Sequence, residues 1–286
     1  MTTGHLDPNT LKSIVHLALT EDIGSGDATT LAVVPAELRT TAHFVARKAC
    51  VCSGLPVVQA VFAELDPSLT FTAHVADGDT CPAGTDLATI AGNARAILTG
   101  ERVALNFIQR MSGIATMTHR YVEALGPSKT VLLDTRKTTP GLRMLEKYSV
   151  LMGGAQNHRI GLYDRIMIKD NHREMAKLTG PDSIARAVAA CRKAYPNLEI
   201  EVEADCLEEV AQAADAGVEY ILLDNMDNDT MVEAVRLVHG RAKTEASGNI
   251  TLERLPSLAN LGLDYISSGA LTHSAPSIDI GLDILC

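Results

Sequence analysis

The sequence predicts an α/β protein, an α+β N-terminal half followed by an incomplete α/β barrel. Three observations carry this reading. From Lys129 onward, short apolar runs alternate with amphipathic stretches, the pattern of a parallel sheet covered on both faces. The candidate strands there end on polar or small residues: Asp134, Lys169, Glu203, Asp224, Ala246-Ser247 and Ser268. Function gathered at the C-terminal ends of every strand is the barrel habit, whereas an open doubly wound sheet concentrates it at one switch point. About six strands are visible, short of the eight βα units of a full barrel.

Leu11, Ile14, Val15 and Ala18 form a helical stripe behind Asp7-Pro8, an N-cap and N1 pair. Thr40 to Val51 reads as a strand of imperfect alternation, and Gly54-Leu55-Pro56 opens a helix through Leu65. Leu69–Val75 and Thr85–Ile90 read as strands, with a turn at Ala76-Asp77-Gly78-Asp79. A long helix runs from Ala94 to about Leu125, with a candidate break at Ser112-Gly113. The later strands are Thr130–Asp134, Arg165–Lys169, Glu199–Glu203, Tyr220–Asp224, Ala242–Ala246 and Tyr265–Ser268. One intervening helix starts at Asp205, with Glu208 three residues on, and stops at Gly217. No internal repeat or low-complexity tract interrupts the pattern.

Composition narrows the function classes. Hydrophobic content of 46% with 21% charged residues fits a well-cored protein. Aromatics at 3% argue against the stacking platforms of single-strand nucleic-acid binders. A pI near 5.3 offers no broad basic face for a phosphate backbone. The polar start from Met1 to Thr10 lacks the apolar core of a secretion signal, and no stretch has the length of a membrane span. Cys50, Cys52, Cys81, Cys191, Cys206 and Cys286 form no CxxC pair. They read as buried or free thiols of a reduced, cytoplasmic protein, with Cys50 and Cys52 on opposite strand faces.

The charge distribution points to chemistry. The net charge is −10, yet Asp134 to Arg173 holds eight Lys/Arg against four Asp/Glu. An acidic chain that concentrates cations at the ends of apolar runs is suited to a small, highly charged anion. Arg136 and Arg159 match carboxylates through the guanidinium fork, while Lys137 and Lys169 are point charges for phosphates. Lys169 alone could instead form a Schiff base, as in an aldolase. His158 and His172 lack HExxH-like spacing. Glu199, Glu201 and Glu203 share one strand face, with Glu203 nearest the mouth; with Asp224 it is suited to ribose hydroxyls or a phosphate-held magnesium ion. Ser247-Gly248-Asn249 and Ser268-Gly269-Ala270 are small-residue turns after the last two strands, where α/β barrels commonly bind phosphate.

Together these blocks resemble the quinolinate phosphoribosyltransferase family over nearly the whole chain. The resemblance rests on Glu21-Asp22-Ile23-Gly24-Ser25-Gly26-Asp27, Glu101-Arg102, Asn106 and Ser112-Gly113-Ile114-Ala115-Thr116. It continues through Asp134-Thr135-Arg136-Lys137-Thr138, Pro140-Gly141-Leu142-Arg143, Gly153-Gly154 and Asn157-His158-Arg159. Ile168-Lys169-Asp170-Asn171-His172, Glu201-Val202-Glu203, Leu223-Asp224-Asn225, Ser247-Gly248 and Gly269-Ala270-Leu271-Thr272-His273 complete it. Departures are small: Asn249 stands where a second glycine is frequent, and Ser268 where other small residues occur.

The resemblance implies an N-terminal α+β open sandwich, 1–113, and a six- or seven-stranded α/β barrel, 114–273. The tail 274–286 is expected to pack back on the sandwich. It implies transfer of phosphoribose from 5-phosphoribosyl 1-pyrophosphate to quinolinate with magnesium, giving nicotinate mononucleotide, pyrophosphate and carbon dioxide. By motif, Thr135 joins the substrate-binding residues; Arg136, His158, Arg159 and Lys169 line the dicarboxylate site, and Arg102 reaches in from a neighbouring subunit. Lys137 and Lys169 face pyrophosphate, Glu203 and Asp224 hold ribose and magnesium, and Lys137, Lys169, Glu203 and Asp224 form the catalytic set. Backbone groups of Ser247, Gly248, Asn249, Ser268, Gly269 and Ala270 hold the 5-phosphate. A homodimer is implied, with a hexamer as the larger alternative. A sister transferase acting on another ring is the nearest rival.

Overall fold

The computed structural model describes residues 6–285, so the first five residues of the polar start and the Cys286 thiol lie outside it. Contacts divide the chain into two compact units. One comprises the segment up to His119, Thr138–Gly154 and the segment from Leu271 onward; the other comprises Arg120–Lys137 and Ala155–Ala270.

In the first unit, α1 (Pro8–Ile23) begins as expected: Asp7 Oδ2 accepts the Thr10 amide at 2.8 Å, and Pro8 opens the helix. Asp27 caps α2 (Ala28–Val33) in the same way. β1 (Arg39–Ala46), β3 (Thr70–Ala73), β5 (Asp86–Asn93) and β12 (Ile280–Leu285) form an antiparallel sheet in the order β12-β1-β5-β3. Its buried face presents Ala42, Phe44 and Ala46 from β1 with Leu87, Ala88 and Ile90 from β5. These meet Val57, Val58, Val61 and Phe62 of α3 (Leu55–Leu65), and the Phe44 and Phe62 rings stack edge to face at 6.1 Å. Each fully buried Val, Leu, Ile or Phe side chain here stabilises by about 1.5–3 kcal/mol.

The strand expected over 40–51 is two strands. Arg47, Lys48 and Ala49 are consecutively exposed, which alternation cannot accommodate. The chain leaves the sheet there and β2 (Cys50–Val51) pairs with β4 (Thr80–Cys81). Cys50 and Cys52 are both buried, and the opposite-face expectation does not stand, because residues two apart in a strand share a face and Cys52 lies just beyond β2. Cys50, Cys52, Cys81, Cys191 and Cys206 are all free thiols.

α4 (Ala94–Leu125) is one unbroken helix of 32 residues. Gly113 does not break it; a Cβ there would overlap the Pro276 carbonyl oxygen, so glycine serves close approach of the tail. The first unit also takes in α5 (Arg143–Met152), inside the stretch expected to belong to the barrel. The reason is polar pinning: Arg110 Nη2 donates to buried Glu146 at 2.8 Å, Ser53 Oγ to Ser149 Oγ at 3.1 Å, and Tyr148 OH to Asp77 at 2.8 Å.

In the second unit, β6 (Val131–Leu133), β7 (Ile166–Ile168), β8 (Ile200–Ala204), β9 (Tyr220–Asp224), β10 (Lys243–Ser247) and β11 (Tyr265–Ser267) form one parallel sheet. Its order is β6-β11-β10-β9-β8-β7. β6 and β7 are the outer strands, and Leu133 makes a parallel bridge to Gln156 on the free side of β6, as befits an incomplete ring. Ile200, Val202, Ile221, Leu223, Ala246 and Ile266 are buried from the strands. Between strands lie α6 (Asp170–Met175), α7 (Ser183–Ala194), α8 (Leu207–Asp215), α9 (Asn228–Val238) and α10 (Leu255–Leu258), before α11 (Ala270–His273). The start of α8 differs from expectation: Cys206 is its N-cap, and Glu209, one residue beyond Glu208, accepts the Asp205 amide at 3.1 Å.

Candidate active site

Parallel pairing puts the C-terminal ends of the strands side by side, with Ser247 opposite Asp224 and Glu203 opposite Leu222. A cavity of about 630 Å³ opens among these ends. Thr135, Arg136, Lys137, His158, Arg159, Lys169, Glu203, Asp224, Ser247, Gly248 and Asn249 line it. Met167, Leu222, Asn225, Glu245 and Ser267 also line it, and none of these was among the expected site residues. Ser268, Gly269 and Ala270 are not lining residues. Ser268 is buried, with its amide on Leu133 O at 3.0 Å and its hydroxyl on Ile250 O at 3.3 Å. Arg102 is exposed on α4 and does not line this cavity.

The cationic side is built around Asp134, which is fully buried. Its carboxylate accepts Asn157 Nδ2 at 2.7 Å and the His158 amide at 2.8 Å. Its own amide donates to Gln156 O at 3.2 Å, so the Asn157-His158-Arg159 block is tied to the end of β6. Arg159 Nη1 donates to Arg165 O at 3.0 Å, which fixes the guanidinium near its head. Burial, then the neighbouring Arg136 charge, lowers the Arg159 pKa from its ordinary value. Two guanidiniums held close enough to repel form a site that an anion stabilises. The Lys137 amide donates to Thr135 Oγ1 at 3.0 Å, closing the turn after β6.

Across the cavity, Lys169 Nζ pairs with Glu203 Oε2. Asp224 accepts Asn225 Nδ2 at 2.7 Å. Burial and the Asp205 charge push the Asp224 carboxyl above its ordinary range, partly offset by Lys169 and Lys137. Asp205 is likewise raised, by burial and then by Glu209 and Glu203. The phosphate-type turn is built by Gly248 at φ +88° and Asn249 at φ +51°, with Asn249 Nδ2 on Asn225 Oδ1 at 3.2 Å. Arg254 braces it through Gly248 O and Met226 O, at 3.2 and 2.8 Å.

Beneath this layer, His158 Nε2 stands 3.2 Å from Glu201 and 3.3 Å from Glu245. A second cavity of about 620 Å³ lies at the opposite, N-terminal strand ends, lined by Lys129, Lys243 and Asp264 among others. There Lys243 is already paired with Asp264 at 2.7 Å. Barrel chemistry belongs to the other end.

Fold and cavity together define a barrel enzyme that accommodates small, multiply charged anions. Residues 27–112 and 114–283 match, respectively, the family descriptions "Quinolinate phosphoribosyl transferase, N-terminal domain" and "C-terminal domain". The chain belongs to the quinolinate phosphoribosyltransferase family. It is 46% identical over 271 residues to the probable nicotinate-nucleotide pyrophosphorylase [carboxylating] of Synechocystis, covering 93% of this chain and 90% of the relative. The corresponding Bacillus subtilis protein is 44% identical over 275 residues, covering 96% and 93%. The crystal structure of NadC from Streptococcus pyogenes superposes with a TM-score of 0.92 at 42% identity, covering 99% of each chain.

Proposed function

We propose that this protein is a pentosyltransferase that joins quinolinate to 5-phosphoribosyl 1-pyrophosphate, releasing pyrophosphate and carbon dioxide and leaving nicotinate mononucleotide for NAD synthesis. The observation that carries the reading is one cavity with Arg136, Arg159, Lys137 and Lys169 on the same wall system as Glu203, Asp224 and the Gly248 turn. Each group has a role in the chemistry. The guanidiniums receive the two ring carboxylates, with the His158 ring forming the wall beside them, while the lysines receive the pyrophosphate. Departure of pyrophosphate develops positive charge on the sugar, which Glu203 and Asp224 stabilise electrostatically. The backbone around Gly248 receives the 5-phosphate. Once the ring nitrogen is cationic, loss of the adjacent carboxylate is favoured, because the electron pair left behind faces that positive charge. The protein thus positions and screens charge, without a covalent enzyme intermediate.

Magnesium fits the same wall. Glu203 and Asp224 are hard oxygen donors on the cavity wall, and the Asp224 carboxyl, raised first by burial and then by the Asp205 charge, is one whose ionised form a cation would favour. So few protein donors suit an ion held mainly by substrate oxygens, with Glu203 and Asp224 nearest. When bound, it supplies charge neutralisation to the leaving group.

The reading includes a homodimer, or a larger hexamer, with Arg102 contributed across the interface. Exposure of Arg102, and of Leu17 and Val33 at 71% and 72%, supports it. It also includes a cytoplasmic setting, supported by the five cysteines among the described residues, which are free thiols; no described helix is long and apolar enough to cross a membrane. The test is incubation with quinolinate, phosphoribosyl pyrophosphate and magnesium. Nicotinate mononucleotide and carbon dioxide in equal amounts are expected; absence of both overturns the reading.

A further inference from the structure

Two glutamates that the proposed reaction does not use lie beneath His158. Glu201 on β8 and Glu245 on β10 are both 0% exposed. Oε2 of each stands close to His158 Nε2, at 3.2 and 3.3 Å, as a charge contact, and no oxygen of either carboxylate has an aligned hydrogen-bond partner. Arg165 Nη1 stands 3.8 Å from Glu201 and its guanidinium lies 4.0 Å over the Tyr220 ring. Burying two carboxylates is costly, and apolar residues fill such space at lower cost.

The arrangement has a direction. The Arg159 amide donates to His158 Nδ1 at 2.7 Å, on the other side of the ring from the carboxylates. Burial drives the imidazole toward neutrality, but the Glu245 charge and the contacts with both glutamates outweigh it and push its pKa up to about 10. The charges favour a second ring proton, whereas the Arg159 amide requires a bare Nδ1. Both states keep a hydrogen on Nε2, the ring atom that the two glutamates face.

We propose that Glu201 and Glu245 are positioning residues for the ring substrate: they accept the Nε2 hydrogen of His158, hold the imidazole in the cavity wall, and thereby hold the adjoining Arg159 main chain. The inference rests on reading this cavity as the quinolinate site. His158, Glu201 and Glu245 are also the one group among the described residues whose ligand atoms lie close enough to share an ion. An ion there would need the Nε2 lone pair, where the hydrogen sits.

Three variants test the assignment: E245A, which removes an acceptor, E245Q, which keeps one, and E201Q, which serves if E245A does not fold. E245A should raise KM for quinolinate about tenfold or more, leaving kcat and KM for phosphoribosyl pyrophosphate within about threefold. E245Q and E201Q should each recover most of that affinity. Nitrogen NMR of the His158 ring should show hydrogen on Nε2 in the wild type and in E245Q, and a mixed tautomer in E245A. An unchanged quinolinate KM in E245A, an equal loss in every kinetic parameter, a wild-type ring with hydrogen on Nδ1 alone, or a stoichiometric metal in the purified protein would each overturn the proposal. If E245A does not fold, a tenfold or greater rise in quinolinate KM in both glutamine variants overturns it too. A wild-type enzyme that ignores quinolinate sinks the functional reading, while the ring spectra still judge the His158 arrangement separately.

Discussion

At Gly248 the backbone takes φ +88°, and an added Cβ would lie 2.7 Å from Asn225 Cγ and 3.0 Å from the Asn225 amide nitrogen. G248A should therefore disturb the phosphate turn while the sheet behind it stands. A rise of about tenfold or more in KM for phosphoribosyl pyrophosphate is expected, with unchanged far-ultraviolet circular dichroism; steady-state kinetics decides it. Substrate choice belongs to the same scale. Nicotinate lacks the second carboxylate, and leaving a buried charge unanswered costs roughly 2–5 kcal/mol. Its kcat/KM should fall about 30-fold or further below that of quinolinate, and parity in a competition assay would count against the site assignment. Arg136, Lys169, Glu203 and Asp224 were legible because each closes or follows an apolar run, and Arg159 because it stands within the basic stretch from Asp134 to Arg173. Glu245 was not, since nothing beside it in the chain marks it as the neighbour of His158.

Among the elements, Gly113 offers a direct probe. G113A forces the Pro276 carbonyl away from α4, and overpacking of this kind costs typically about 1–3 kcal/mol. The melting temperature should drop by several degrees, which differential scanning calorimetry measures. In the sequence this glycine is only a candidate helix break, because in one dimension a helix-interior glycine does not disclose what packs on it. The N-caps Asp27 and Asp227 have pKa values lowered first by the hydroxyls of Thr30 and Thr230, then by their amides. A lowered folded pKa adds stability above the unfolded carboxyl value, near 3.9, and that stability vanishes as pH falls through the folded value. Urea midpoints should thus decline less between pH 5 and 3 in a D27N/D227N variant than in the wild type. The six parallel strands were readable from alternation of apolar runs and helices, whereas the split of 40–51 into two strands depended on which sheet each half joins.

For the molecule as a whole, a net charge of −10 surrounds one cationic cavity, which concentrates attraction for polyanions at a single place. The proposed dimer is open to a subunit test. Mixing inactive R102A with inactive K137A protomers should restore part of the activity, because each hybrid dimer rebuilds one complete site. No recovery after verified exchange of subunits would remove Arg102 from the site.

Local periodicity and end residues were enough to specify the alternating elements, their polar strand termini and the excess of cations from Asp134 to Arg173, because these depend on neighbours within a few turns of chain. The meeting of Thr135 with Gly248, the buried contact of His158 with Glu201 and Glu245, and the place of α5 in the first unit were settled by folding alone. They depend on strand order and register, such as Glu245 opposite Leu222, and that order is a balance of packing over the entire sheet which no short window of residues contains.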